Sequence, residues 1–243
     1  MSFLVLPDVG AGTALLLDAG TGLARLGEPA IAAALARVER LEIVLSHYHL
    51  DHVIGLAYLP GVWRGRCVRI WAPQPPLVDG SAAALDRLLA PPLFPATLAE
   101  FPLAIEVVAF SSGPLELCGV EIRLRRQQHP GGSVGMRLGN SLAYVTDTAL
   151  EPATVEFARG VRMLLHEVWL TTVEISAGAP ASAGHSTPEG VADLAREAAV
   201  GRLLPVHHHP SRSGVELVAL AGEIERRSGV ETLVGEEGQE IVV

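Results

Sequence analysis

A chain of 243 residues, 49% of them apolar, is long enough to bury a substantial core and lacks the composition of a disordered segment. Its formal net charge of −9 and pI near 5.5 exclude a general electrostatic attraction to nucleic acid, leaving room only for a local basic patch. All 18 basic residues are arginine, which excludes any mechanism needing a lysine nucleophile or Schiff base from this chain.

No run approaches the roughly 18 consecutive apolar residues of a membrane span. The opening MSFLVLPDVGAG lacks the basic segment and apolar stretch of a secretion signal. The expectation is a cytoplasmic protein, with no membrane partner, forming one globular domain over residues 1–243. Two cysteines, Cys67 and Cys118, cannot build a cysteine zinc knot and read as buried free thiols.

In chain order, the apolar run 13–19 closes in Asp18-Ala19-Gly20-Thr21-Gly22 and predicts a buried strand ended by a glycine turn. A helix fits 29–40, and a strand over 41–46 delivers the chain into His47. Short β-like runs follow at 67–71, 103–110, 120–125, 134–138 and 142–145, with a helix at 81–89 among them. Then come helix 151–159, strand 161–166, helix 187–199 with Pro188 in its first turn, strand 203–207 and helix 213–227. The last opens with Ser213 and Glu216 at capping-box spacing and sets Leu217, Leu220, Ala221 and Ile224 on one face. Composition shifts at 73–80 and 177–184 read as surface or lid loops. Strands and helices thus alternate in two stretches that flank a β-rich middle.

The chemistry concentrates in His47-Tyr48-His49-Leu50-Asp51-His52, four potential metal ligands within six residues after an apolar strand. A turn unwinding from strand to helix points His47 and His49 to one position and Asp51 and His52 to another. Imidazole and carboxylate together suit zinc, manganese or iron. The other histidines, His129, His166, His185, His207, His208 and His209, stand near strand ends or in glycine-containing loops, and Asp147 follows another apolar strand, placed to bridge two metals. His166, preceded by Leu164 and Leu165, reads as a buried packing residue. Arg137 stays open between a phosphate contact and an ordinary salt bridge, as do Arg123, Arg125 and Arg126.

HxHxDH followed by an isolated histidine, an aspartate and a late histidine resembles the metallo-β-lactamase superfamily from about residue 13 to 210. The Asp18 turn, His166-Glu167 and Gly184-His185-Ser186-Thr187 resemble its ribonuclease Z and phosphodiesterase branch. The resemblance implies an α/β (α+β) αβ/βα four-layer sandwich with two divalent ions, zinc first and manganese or iron as alternatives. It implies His47, His49 and His129 on one metal, Asp51, His52 and His207 on the other, and Asp147 bridging. His208 and His209 compete with His207 for the register. Glu167 and His185 would relay a proton to the leaving oxygen, joining Asp51 as catalytic groups.

The tRNA-processing enzymes of that branch carry a long arm between the third histidine and the bridging aspartate. Here His129 and Asp147 lie 18 positions apart, room for two short strands. With the acidic balance, this points to hydrolysis of a small or cyclic phosphodiester rather than a long nucleic acid. A carboxylic ester or lactone hydrolase of the same fold is the competing enzyme reading, and a metal-stabilised sensor without turnover the non-enzyme one. The resemblance also implies a homodimer.

Overall fold

The computed structural model describes residues 1–6, 12–178 and 184–243. The chain divides into two compact units, Met1–Glu121 and Ile122–Val243.

The first unit begins with β1 (Phe3–Val5) and β2 (Thr13–Leu17), then a 3-10 turn at Thr21–Gly27 and α1 (Pro29–Ala34). There follow β3 (Arg40–Val44), α2 (Leu50–Val53), α3 (Leu59–Val62), β4 (Cys67–Pro73), α4 (Ala83–Leu88) and β5 (Ala104–Phe110). The sheet order is β1-β2-β3-β4-β5, with β2 to β5 parallel and Thr13 opposite Arg40, which is opposite Cys67. Parallel strands with aligned starts end on one edge, so the residues after Leu17 and Val44 emerge side by side: Asp18 N–H donates to Val44 O at 3.0 Å. Leu16, Leu41 and Ile43 pack with Leu23, Leu56 and Trp63 in one buried cluster. Burial of that apolar surface is the main stabilisation of the layer.

A hairpin of β6 (Leu115–Leu117) and β7 (Val120–Gln127) leads into the second unit, with β8 (Ser133–Leu138), β9 (Leu142–Val145) and α5 (Pro152–Ala158). Then come β10 (Met163–Glu167), α6 (Thr172–Ser176), α7 (Pro188–Glu197), β11 (Arg202–Val206), α8 (Gly214–Ser228) and β12 (Glu231–Thr232). The seven-stranded order is β12-β11-β10-β9-β8-β7-β6, with β9, β10 and β11 parallel and β7, β8 and β9 antiparallel. Val145, Leu164 and Leu203 from those strands bury against Val191 of α7 and Ile224 of α8. Ser213 caps α8, accepting from Glu216 N while Glu216 accepts from Ser213 N, as its spacing predicts.

Three local expectations are corrected. The helix expected over 29–40 stops at Ala34, because it buries none of its own residues and the Glu39 and Arg40 N–H groups are taken by Gly12 O on the way into the sheet. Cys67 is exposed rather than buried, since it opens β4 at the sheet's starting edge; both cysteines are free thiols. The 73–80 loop is partly a core element, with Leu77 and Val78 buried. Most of the 177–184 loop, residues 179–183, lies outside the described residues. Among the described residues, no helix is long and apolar enough to cross a membrane.

Candidate metal centre

In the first unit the donors follow β3. His47 is buried, His49 caps α2 and is exposed, and Asp51 and His52 lie in the first turn of α2, Asp51 exposed and His52 buried. The ring centroids of His47 and His49 are 4.5 Å apart and those of His47 and His52 4.4 Å, and Asp51 Oδ2 is 3.1 Å from His52 Nε2. One buried carboxylate orients two of the rings. Asp18 accepts from Ser46 N at 2.6 Å, from Ser46 Oγ at 2.8 Å and from His52 Nδ1 at 2.8 Å. Because the Ser46 hydroxyl donates to Asp18, its oxygen accepts from His47 Nδ1 at 2.9 Å. Both imidazoles are therefore protonated on Nδ1 and present the Nε2 lone pair, the tautomer a metal ligand needs.

Burial opposes the charge on Asp18, but His52, His47 and the Ser46 backbone outweigh it and hold its carboxyl below the usual range. Asp18 stands at a positive φ of 58°. Left-handed backbone is costly for a residue with a Cβ. Here it turns the carboxylate across the sheet edge, where the hydrogen bonds above repay it. Gly55 lies directly beneath this turn: a Cβ there would sit 1.9 Å from Gly20 O, so only glycine lets the chain after α2 approach so closely.

In the second unit the donors come from separate strand ends. Asp147 and His207 follow β9 and β11, each with φ of 49°, and Glu167 is the last residue of β10. His129 donates from Nδ1 to Gly184 O at 2.9 Å, and a Cβ on Gly184, whose φ is 89°, would strike Pro130 Cδ at 2.6 Å. His129 Nε2 and His207 Nε2 each lie 3.5 Å from the same atom, Asp147 Oδ1. Two donors about 2.1 Å from one ion at the tetrahedral angle lie about 3.4 Å apart. Atoms of Asp147, His185 and His207 fall within 4.8 Å of one another.

Glu167 is fully buried. Its Oε1 accepts from Thr148 N at 2.8 Å and Ser186 N at 3.1 Å, and its Oε2 accepts from His185 Nδ1 at 2.6 Å. Of the three consecutive histidines, His207 is the one placed against Asp147; His209 Nδ1 bonds Ser211 Oγ at 2.7 Å, and burial lowers the pKa of His208, which bonds the Pro205 backbone. His166 faces the opposite side of β10 and donates to Glu167 O at 2.9 Å; burial lowers its pKa. Arg137 is also structural. Its buried guanidinium donates to Gly139 O, Phe157 O, Arg159 O and Asn140 Oδ1 at 2.7–3.0 Å, leaving it committed away from any substrate. Arg125 donates to Glu151 and Thr154.

Sequence reasoning missed two supports. Asp18 was visible only as part of a turn, although a carboxylate at a strand end beside the motif is a signal. Trp169, whose indole stacks on His185 and His207, carries no motif.

Imidazoles held in one tautomer by Asp18, Ser46 and Gly184 O, with carboxylates at ligand-to-ligand distances, define a metal-dependent hydrolase of the metallo-β-lactamase type. The chain belongs to the family described as the beta-lactamase superfamily domain, whose model matches residues 13–208. It is 28% identical over 222 residues to Ribonuclease BN of Salmonella typhimurium, covering 68% of this chain and 69% of that protein. Its fold matches YhfI, a metallo-β-lactamase fold protein from Bacillus subtilis, with a TM-score of 0.70 and 19% identity over 98% of this chain and 89% of that one. It also matches a diphosphatase of the PhnP family, with a TM-score of 0.68 and 18% identity over 100% of this chain and 83% of that one. The fold implies divalent metal binding, and the nitrogen and oxygen donors of both units are chemically suited to it.

Proposed function

We propose that the chain hydrolyses a small or cyclic phosphodiester with two divalent ions, zinc first. The observation that carries this reading is Asp147 Oδ1 at 3.5 Å from both His129 Nε2 and His207 Nε2, distances that suit an oxygen shared between two ligand sets. In the proposal, which takes its ligand sets from the sequence resemblance, His47, His49 and His129 would hold one ion and Asp51, His52 and His207 the other, with Asp147 shared. When bound, the ions offset charge on the phosphoryl oxygens and make water acidic enough to attack near neutral pH. Glu167 accepts the Nδ1–H of His185, so His185 Nε2, carrying the second proton of the imidazolium form, is the atom that passes a proton to the leaving oxygen and leaves the ring neutral. Asp18 and Gly184 O hold His52 and His129 in the ligating tautomer.

Support for the phosphodiester comes from the Glu167–His185 pair and from similarity to proteins named as a ribonuclease and a diphosphatase. Support for a small substrate comes from the His129–Asp147 interval, which is filled by β8, a turn and β9 and carries no projecting arm. The test couples metal analysis to a paired assay with bis(p-nitrophenyl) phosphate and an aryl ester. About two ions per chain, with turnover of the phosphodiester well above that of the ester, is expected. Ester turnover alone would replace the substrate class, and metal binding without either activity would make the protein a sensor.

A further inference from the structure

Trp169 stands two residues after Glu167 and is half-buried. Its indole is nearly parallel to His185, with centroids 4.4 Å apart and planes at 10°, and to His207, at 5.1 Å and 21°. The two imidazoles are 5.6 Å apart and within 17° of parallel, too close for rings on opposite faces, so they lie side by side under one face of the indole. The backbone of Trp169 is fixed from two directions. Its N–H donates to Ser186 O at 3.0 Å, the residue after His185, and its carbonyl accepts from Arg212 Nη2 at 3.2 Å. Arg212 is in turn paired with Glu174, whose carboxylate caps α6 at Thr171.

The two imidazoles face one acceptor. Glu167 Oε2 is 2.6 Å from His185 Nδ1 and 3.4 Å from His207 Nδ1. The terminal torsion of a histidine is broad, so ring rotation alone would let either imidazole take the carboxylate. A ring that rotated would also swing its Nε2 away from where the mechanism uses it. We propose that Trp169 is a positioning residue: by holding His185 and His207 flat against a single aromatic face, it commits Glu167 Oε2 to His185. This deepens the function proposed above, because His185 is the proton relay only in that reading. Stacking of an aromatic pair favours one ring orientation over others, which biases the choice between two imidazoles that share one acceptor.

The test uses zinc-loaded wild type, W169F and W169A, checked for metal content. Long-range proton–nitrogen spectra follow the His185 Nδ1 proton, assigned by its absence in His185→Gln. The expected result is a sharp downfield signal in the wild type that is lost to exchange in W169A. With it, kcat for bis(p-nitrophenyl) phosphate falls about 10–100-fold at full metal content while KM moves less than about twofold. W169F, whose single ring spans less of the pair, keeps a weakened signal and loses less activity, and it decides the matter if W169A does not fold. An unchanged signal in the variants, or a lost signal with unchanged kcat, would overturn the proposal. If the wild type shows the signal but turns over no phosphodiester, the functional reading fails while the spectra still decide what Trp169 does to the two rings.

Discussion

The donors of the first unit sit on one hexapeptide, and two of them share one orienting group. Asp18 accepts directly from His52 and, through Ser46, from His47. The groups of the second unit sit at the ends of separate strands and loops, and their supports are dispersed: Gly184 O for His129, Glu167 for His185, and Trp169 for both His185 and His207. A contiguous motif brings its ligands together by chain connectivity, so it needs few supports but depends heavily on them. A dispersed set depends on the register of parallel strands, and each member can be disturbed alone. Substitutions of the ligands should therefore look alike in both units, whereas substitutions of the supports should not.

The largest effects test the likeness. His49→Ala and Asp147→Ala each remove a proposed ligand, one per unit, and turnover should fall by on the order of 10³-fold or more in both. Inductively coupled plasma analysis should show less than the wild-type metal in each. Activity retained in either variant at wild-type metal content would remove that residue from the centre. Next come His185→Ala and Glu167→Gln, for which loss of general acid catalysis predicts a fall in kcat of roughly 10²–10⁴-fold. Metal content should hold in these, separating proton transfer from ligation; coincident loss of metal would recast both residues as ligand supports.

Asp18→Asn probes the shared support. An amide oxygen accepts less strongly than a carboxylate, and its NH₂ confronts the Ser46 and His52 donors with another donor. Metal affinity should weaken by about 10–100-fold, the usual size of an outer-shell change. Competition with a chelator measures it. Because Asp18 supports His47 and His52, which are proposed for different ions, both ions should be lost over the same lowered chelator range. Loss of one ion alone would show that Asp18 supports only one of the two ligand sets.

The same contrast explains what the sequence could tell. His47, His49, Asp51 and His52 were legible as candidate ligands because their spacing alone gathers them, and Asp147 and His207 because each follows an apolar strand. Asp18 and Ser46 lie 28 positions apart, and only the parallel pairing of β2 with β3 makes them neighbours. Trp169 acts through stacking, which has no spacing rule. Strand alternation left Arg137 open between a phosphate contact and an ordinary salt bridge, yet three carbonyls and Asn140 claim it, because burial of a guanidinium demands acceptors. The short strands β1, β6 and β12, of two or three residues each, offered too few positions for a periodic pattern to register.

The smallest expected effect concerns the strut behind Trp169. Hydrogen bonds from Arg212, with further ones from the Thr171 backbone and hydroxyl, outweigh desolvation and hold the Glu174 carboxyl at about 2, below its ordinary 4.5. A depressed carboxylate pKa stabilises the fold fully above the unfolded value and loses that contribution as pH falls through the window from about 4.5 to about 2. Glu174→Gln should therefore be less stable than the wild type at neutral pH, and the gap should narrow as pH falls through that window. The side chain is 36% exposed, so solvent screening keeps the difference small. Urea midpoints measured from pH 7 to 2 read it directly. A gap that stays constant across the window would mean that the Arg212 pair contributes through geometry and not through charge, and the second unit's supports would then be insensitive to acid above the range where the fold itself is lost.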